Sequence, residues 1–214
     1  HLLLAAGRKA NIDGLGLEAA GVKSGPKGIE VDQRLRTANR KIYAIGDVTG
    51  GLQFTHMAGF EAGIVLRSAL FRLPAKGVTD AAPWVTYTEP ELANVGLKEA
   101  EARAIHGEIL ILRWPFSEND RARAERDEDG LVKVITTKKG RILGAGIVGK
   151  NAGDLIQPWT LAIQNKMKIG AMAGVIAPYP TRGEASKRAA GSYYTKSLFS
   201  ERTRKIVRFL KIFG

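Results

Sequence analysis

The sequence predicts an α/β unit followed by an α+β domain built on an antiparallel sheet. Three observations carry this. Ile42-Tyr43-Ala44-Ile45 is a short apolar run closed by Gly46-Asp47, and a glycine-bearing loop then leads to a helical pattern from about Thr55. Such a run, rich in β-branched and aromatic residues, reads as a strand buried on both faces, so the order is strand, acidic residue, loop, helix. Beyond Pro83, several strand patterns occur with helices to one side, which is how an antiparallel α+β layer is written. Between them, Pro74, Gly77 and Pro83 punctuate a linker over 74–82.

Composition narrows the function. With 214 residues and 44% of them hydrophobic, the chain has enough apolar material for one or two packed domains. It contains no cysteine, which excludes a disulfide framework, a thiolate metal site and a dithiol redox centre in these residues. No apolar run reaches membrane-spanning length and no signal peptide is visible, so a cytoplasmic protein is the expectation. The formal charge of +12 favours anionic partners in general, without choosing between phosphorylated cofactors, acidic membranes and nucleic acid.

Taken in order, His1-Leu2-Leu3-Leu4 opens as a buried strand running to Arg8. Leu15 to Val22 is a short helical or turn segment, and Gly28 to Asp32 and Leu35-Arg36-Thr37 read as short strands. The helix from Thr55 runs to about Leu73, with Met57, Phe60, Ile64 and Leu70 near one side. In the second domain, Trp84 to Tyr87 is a strand, and Glu91 to Gly96 leads into a helix over Lys98 to Ile105. Glu108 to Trp114 is a strand with an apolar centre, and the charged run Glu118 to Asp129 reads as a solvated loop. Gly130 to Thr136 and Ile142 to Gly149 form a hairpin through Lys138 to Arg141. Helices follow from about Ala152 to Asn165, near Gly170 to Val175, and from Thr181 with Glu184 in the first turn, where a carboxylate suits the helix dipole.

Asp47 stands where ligands bind in open α/β sheets, at the carboxyl end of a strand with a helix N-terminus facing it. The plain alternative is an ordinary connection with a capping Asp, and the residue types leave both open. His1, His56 and His106 are far apart in sequence with no carboxylate pair at ligand spacing, so no metal site is expected.

The stretch Ile42 to Gly63, IYAIGDVTGGLQFTHMAGFEAG, resembles the second flavin-contacting motif of the pyridine nucleotide-disulfide oxidoreductases, which include dihydrolipoamide dehydrogenase, glutathione reductase and mercuric reductase. The resemblance extends through Ala5-Ala6-Gly7-Arg8-Lys9-Ala10-Asn11, Tyr87 to Glu91, Val95-Gly96, Arg121-Ala122, Asp129 to Lys133, Ile142 to Ala145 and Pro178-Tyr179-Pro180-Thr181 with Glu184. It implies that residues 1–73 are part of the FAD-binding domain with the end of the NAD(P)H domain, that 83–198 are the dimerisation domain, and that the chain is the carboxyl-terminal part of a longer enzyme. In that enzyme NAD(P)H would reduce FAD, with electrons passing to a cysteine pair and on to a small-molecule acceptor. It further implies cofactor contacts from Gly46, Asp47, His56, Met57 and Ala58, a homodimer, and no role for nucleic acid. These residues alone are expected to be inactive and to retain no cofactor, so the reading from a different class is a non-catalytic module that dimerises or binds an anionic surface.

Two further expectations concern the far end. In lipoamide- and glutathione-reducing members, a His contributed across the dimer stands where this chain has Tyr179, paired with a Glu matching Glu184. Tyr179 and Glu184 are therefore the catalytic candidates, with the chemistry shifted by the change of residue. Residues 199–214 are basic and apolar at helical spacing; they either pack on protein or lie on an anionic membrane surface.

Overall fold

Alternating burial along the strands of the second half organises that half into a layered domain. The computed structural model describes residues 1–74 and 80–213 and divides into two compact units, His1–Thr79 and Asp80–Gly214. Residues 75–79, the centre of the expected linker, lie outside the described residues.

The first unit holds a hairpin of β1 (Ser24–Gly25) and β2 (Gly28–Ile29), a 3-10 turn at Gly46–Thr49 and the helix α1 (Thr55–Ala69). Val22, Ile29 and Ala44 form its small core. Gly50, at φ +66°, lies so close to the carbonyl of Lys27 that any Cβ there would collide with it, which seats the hairpin against the Gly46–Thr49 turn.

Three strand expectations fail in this unit. Leu2, Leu3 and Leu4 are not in a strand and are exposed. Leu35–Thr37 and Ile42–Ile45 are extended segments joined by one isolated bridge, Arg36 to Tyr43, and by bonds such as Thr37 N–H to Ile42 O at 3.0 Å. A strand needs a neighbour along its whole length to form a ladder. Among the described residues these segments have only that bridge, and the apolar run has no such neighbour. The helix starts at Thr55 as expected but ends at Ala69, burying Met57, Ile64 and Ser68 while Phe60 and Leu70 are exposed.

The second unit contains β3 (Trp84–Thr86), β4 (Glu91–Gly96), α2 (Glu99–His106), β5 (Ile109–Pro115), α3 (Asp120–Ala124), β6 (Leu131–Thr137) and β7 (Ile142–Gly149). There follow α4 (Ala152–Leu155), α5 (Gln157–Gln164), α6 (Ile169–Ala173), α7 (Glu184–Gly191), α8 (Thr195–Leu198) and α9 (Glu201–Leu210). The five strands form one antiparallel sheet in the order β3-β4-β7-β6-β5. Val95, Leu112, Val132, Val134, Ala145 and Ile147 point to one face, where Trp159 of α5 and Ala185 and Ala189 of α7 complete the core. Ile135 and Leu143 point to the other face, where Ala102 of α2 covers them. Helices thus cover parts of both faces, not one.

Glu91 to Gly96 is a strand, not the approach to a helix, because Ala93 and Val95 alternate into the core. The single helix expected over 152–165 is two, α4 and α5. Pro158 has no N–H for the ladder, and the break falls at Ile156. The charged run 118–129 is no solvated loop either: Ala122 is fully buried and Asn119 nearly so. No helix among the described residues is long and apolar enough to cross a membrane.

Trp159 is the largest fully buried side chain, and its indole N–H donates to Ser186 Oγ at 3.0 Å. Trp159→Ala is expected to cost about 3–5 kcal/mol, read by chemical denaturation. A loss below about 1 kcal/mol would mean the site collapses around the cavity and the helices are held by something else.

Candidate functional site

Two groups of candidate residues fall in the two units. In the first, Gly46 sits at φ +70°, and a Cβ there would lie 3.0 Å from Ala58 Cβ, so the turn rests directly against the first turn of α1. The Gly46 N–H donates to Glu61 Oε2 at 2.7 Å, which ties the turn to the second turn of the helix. Thr49 Oγ1 donates to Gly46 O at 2.8 Å, and Gly50 N–H donates to Asp47 O at 3.1 Å. The Asp47 carboxylate is left exposed.

Helix α1 begins after Phe54 with no side-chain cap. The N–H groups of Met57 and Ala58 both donate to Phe54 O, at 3.0 and 3.1 Å, and the Met57 side chain is buried. The His56 ring stacks on Phe54 with centroids 5.2 Å apart. Gly46, Asp47 and Ala58 are therefore brought together, and Glu61, which the sequence reading passed over, holds them.

The second group is built by the charged run. Asn119 caps α3, accepting from Ala122 N–H at 3.0 Å, and donates from Nδ2 to Thr181 O at 3.0 Å. Asp120, the first residue of α3, accepts from the Tyr179 hydroxyl at 2.9 Å. Arg182 reaches back from the other side. Its Nη2 lies 3.0 Å from Glu125 Oε2, 3.1 Å from Asp127 Oδ2 and 2.9 Å from Asp127 O. Its guanidinium also sits 5.6 Å over the ring of Phe116, which is fully buried. A guanidinium as buried as this one needs such partners, because desolvation alone would expel it.

Tyr179 and Glu184 are close in sequence but are not hydrogen-bonded. Glu184 is the first residue of α7 and pairs with Arg188 one turn on, at 2.9 Å. Tyr179 is exposed, and its hydroxyl belongs to Asp120. The hydrogen bond to the Asp120 carboxylate, then its charge and that of Glu184, push the phenol pKa above its ordinary value of 10. A tyrosine hydroxyl already bears its proton at physiological pH, and this shift moves it further from titration. Asp120, Glu125 and Arg182, which the structure brings to the 178–184 turn, were not among the sequence candidates. The signal lay in Asn119-Asp120 ahead of a helix-forming run, an N-cap pattern, with Arg121 and Glu125 one turn apart.

The sequence matches the family profile of the pyridine nucleotide-disulphide oxidoreductase dimerisation domain over residues 82–190, and that of the pyridine nucleotide-disulphide oxidoreductases over residues 1–62. It is 39% identical over 191 residues to a mercuric reductase of Bacillus cereus, covering 88% of this chain and 30% of that protein. It is 39% identical over 192 residues to a dihydrolipoyl dehydrogenase of Geobacillus stearothermophilus, covering 89% of this chain and 41% of the other. Among solved structures, LpdA from Mycobacterium tuberculosis superimposes with a TM-score of 0.84 at 29% identity, over 90% of this chain and 42% of that one.

Arg121 first, then Arg182, hold the Glu125 carboxyl at a pKa of about 2, with Lys150 adding to it. A depressed carboxyl stabilises the fold fully above its ordinary 4.5 and loses that contribution as pH falls towards 2. The melting-temperature gap between the parent chain and Glu125→Gln should therefore be present at pH 7 and shrink between pH 4.5 and 2. A gap that stays constant across that window would mean Glu125 is not held by its arginines.

Proposed function

The chain belongs to the pyridine nucleotide-disulphide oxidoreductases, and from that premise we propose that it supplies part of the flavin site and the interface domain of a FAD-dependent NAD(P)H oxidoreductase, homodimeric and cytoplasmic. In this reading residues 1–73 belong to the FAD-binding domain and 83–198 to the dimerisation domain. The residues present fit FAD: an exposed carboxylate on Asp47 stands beside the uncapped start of α1, and Gly46 allows the close approach of turn and helix. Asp47 would hold the ribityl hydroxyls, and the helix start at His56 to Ala58 would face the pyrimidine end with its positive dipole. FAD, when bound, supplies two-electron transfer between the nicotinamide and an acceptor. The spacing G-x-G-x-x-G occurs at Gly144-Ala145-Gly146-Ile147-Val148-Gly149, but these residues are the paired strand β7 and not a loop between a strand and a helix, so no residue here is assigned to NAD(P)H.

The acceptor in this proposal is a metal ion, a quinone or another small oxidant, not a lipoamide or glutathione disulfide. A tyrosine at position 179 carries the reading, and the hydrogen bond from its hydroxyl to Asp120 strengthens it. Reducing a disulfide substrate calls for a base with pKa near neutrality at this position. A phenol is neutral at pH 7 at its ordinary value of 10, and the neighbouring carboxylate raises that value further, so it cannot take that proton. It can orient, donate a hydrogen bond to, or touch a small acceptor in the partner subunit's pocket, with its hydroxyl directed by Asp120. The equal likeness to a mercuric reductase and to a dihydrolipoyl dehydrogenase does not choose the acceptor, so the choice rests on Tyr179.

Steady-state turnover of the intact enzyme tests this. Lipoamide should be turned over at least about 10²-fold more slowly than a small oxidant, and Tyr179→His should raise the lipoamide rate. Vigorous lipoamide turnover by the unmodified enzyme would sink the proposal. A Tyr179→Phe variant with unchanged kinetics on every acceptor would leave the residue a packing role.

A further inference from the structure

Helix α9 is one-sided in sequence, yet none of its residues is buried. At about 100° per residue, Ile206, Val207, Phe209 and Leu210 fall on one arc with Thr203, interrupted in the first turn by Arg202, and Arg204, Lys205 and Arg208 fall on the opposite one with Glu201. Lys211 and Phe213 continue the same pattern just past its last residue. The hydrogen bonds that hold the helix in place are local. Ser200 caps it, accepting from Thr203 N–H at 3.3 Å, and Thr203 Oγ1 donates to Ser197 O at 2.7 Å. Phe209 is 59% exposed and Phe213 74%, and Phe199, 71% exposed, extends the apolar surface towards α8.

We propose that α9 docks on an anionic lipid surface, with Ile206, Phe209, Leu210 and Phe213 at the acyl boundary and the basic arc among the headgroups. An amphipathic helix of low overall hydrophobicity with a strongly basic polar face is built for that plane. Long basic side chains can lay their stems along the apolar edge and keep their charges at the headgroups. Charge decides between this surface and a second copy of the chain. Residues 199–213 carry five Lys and Arg against one Glu, and the chain as a whole carries +12. The α9 of a second copy would meet this helix with charge of the same sign, whereas an anionic leaflet attracts every basic residue on it. The helix is ten residues long, so the docking is reversible and salt-sensitive.

Co-sedimentation of the full chain with vesicles tests this, using phosphatidylcholine alone and phosphatidylcholine with one third phosphatidylglycerol. The chain should partition to the anionic vesicles at least about tenfold more than to the neutral ones, and raising salt from about 0.1 to about 0.5 M should weaken it. Phe209→Glu with Leu210→Glu changes two exposed positions, and circular dichroism checks that the fold is intact; this variant should lose the partition. Neutralising Arg204, Lys205 and Arg208 to Gln should remove the preference for anionic lipid. Equal pelleting of the unmodified chain and the Phe209→Glu, Leu210→Glu variant would overturn the proposal. So would absence of vesicle binding together with a dimer that this variant dissociates, which would assign the face to a second copy. Binding to duplex DNA that needs the basic residues but not Phe209, with no vesicle partition, would likewise overturn it.

Discussion

Arg182 carries a full charge into a place where its side chain is 6% exposed, and the turn around Tyr179 depends on how that charge is compensated. Glu125 and Asp127 reach it from one side, and Phe116 lies beneath it. A buried ion pair adds little net stability over an apolar replacement, but removing one partner leaves an uncompensated charge and is costly. The arrangement therefore fixes geometry more than it adds stability. It sets the 120–127 segment against the 178–184 turn, and Asn119 completes the join through the Thr181 carbonyl. Asp120 reaches the Tyr179 hydroxyl because both ends of this clasp are held.

This clasp gives Tyr179 its chemical character. An exposed phenol beside Glu184 alone would be nearly ordinary. Glu184, however, is engaged by Arg188, and the carboxylate that meets the hydroxyl is Asp120. A carboxylate accepting from a phenol favours the protonated form, and nearby negative charge adds to the effect. The residue that the sequence offered as a replacement for a histidine base is thus a hydroxyl donor with a fixed direction.

The sheet was legible in the sequence where periodicity was strong. Leu131–Thr137 and Ile142–Gly149 alternate, share a two-sided burial pattern and are joined by a short charged turn, so local pattern and tertiary contacts agree. Reading failed where one signal stood for two structures. The apolar run Leu2-Leu3-Leu4 has strand propensity, but a strand is defined by its neighbours, and propensity does not supply them. Glu91–Gly96 has mixed polar and small residues, and only the burial of Ala93 and Val95 makes it a strand. The Gly46-Asp47 turn and the helix start at Thr55 were legible, because glycine, acid and a helical period sit together. The Asp120–Tyr179 contact was not. The two residues are 59 positions apart, and the charged composition of 118–129 reads as solvent-facing unless the Asn119 cap and the buried Ala122 are recognised.

The central claim is that the Asp120 carboxylate accepts the hydrogen bond of the Tyr179 hydroxyl and raises its pKa above the ordinary 10. Titrating the Tyr179 ring carbon that bears the hydroxyl by NMR, with the resonance assigned through Tyr179→Phe, reads this directly. The account predicts a midpoint above the ordinary 10 that moves back towards it in Asp120→Asn. A midpoint at or below 10, unchanged by Asp120→Asn, would contradict it.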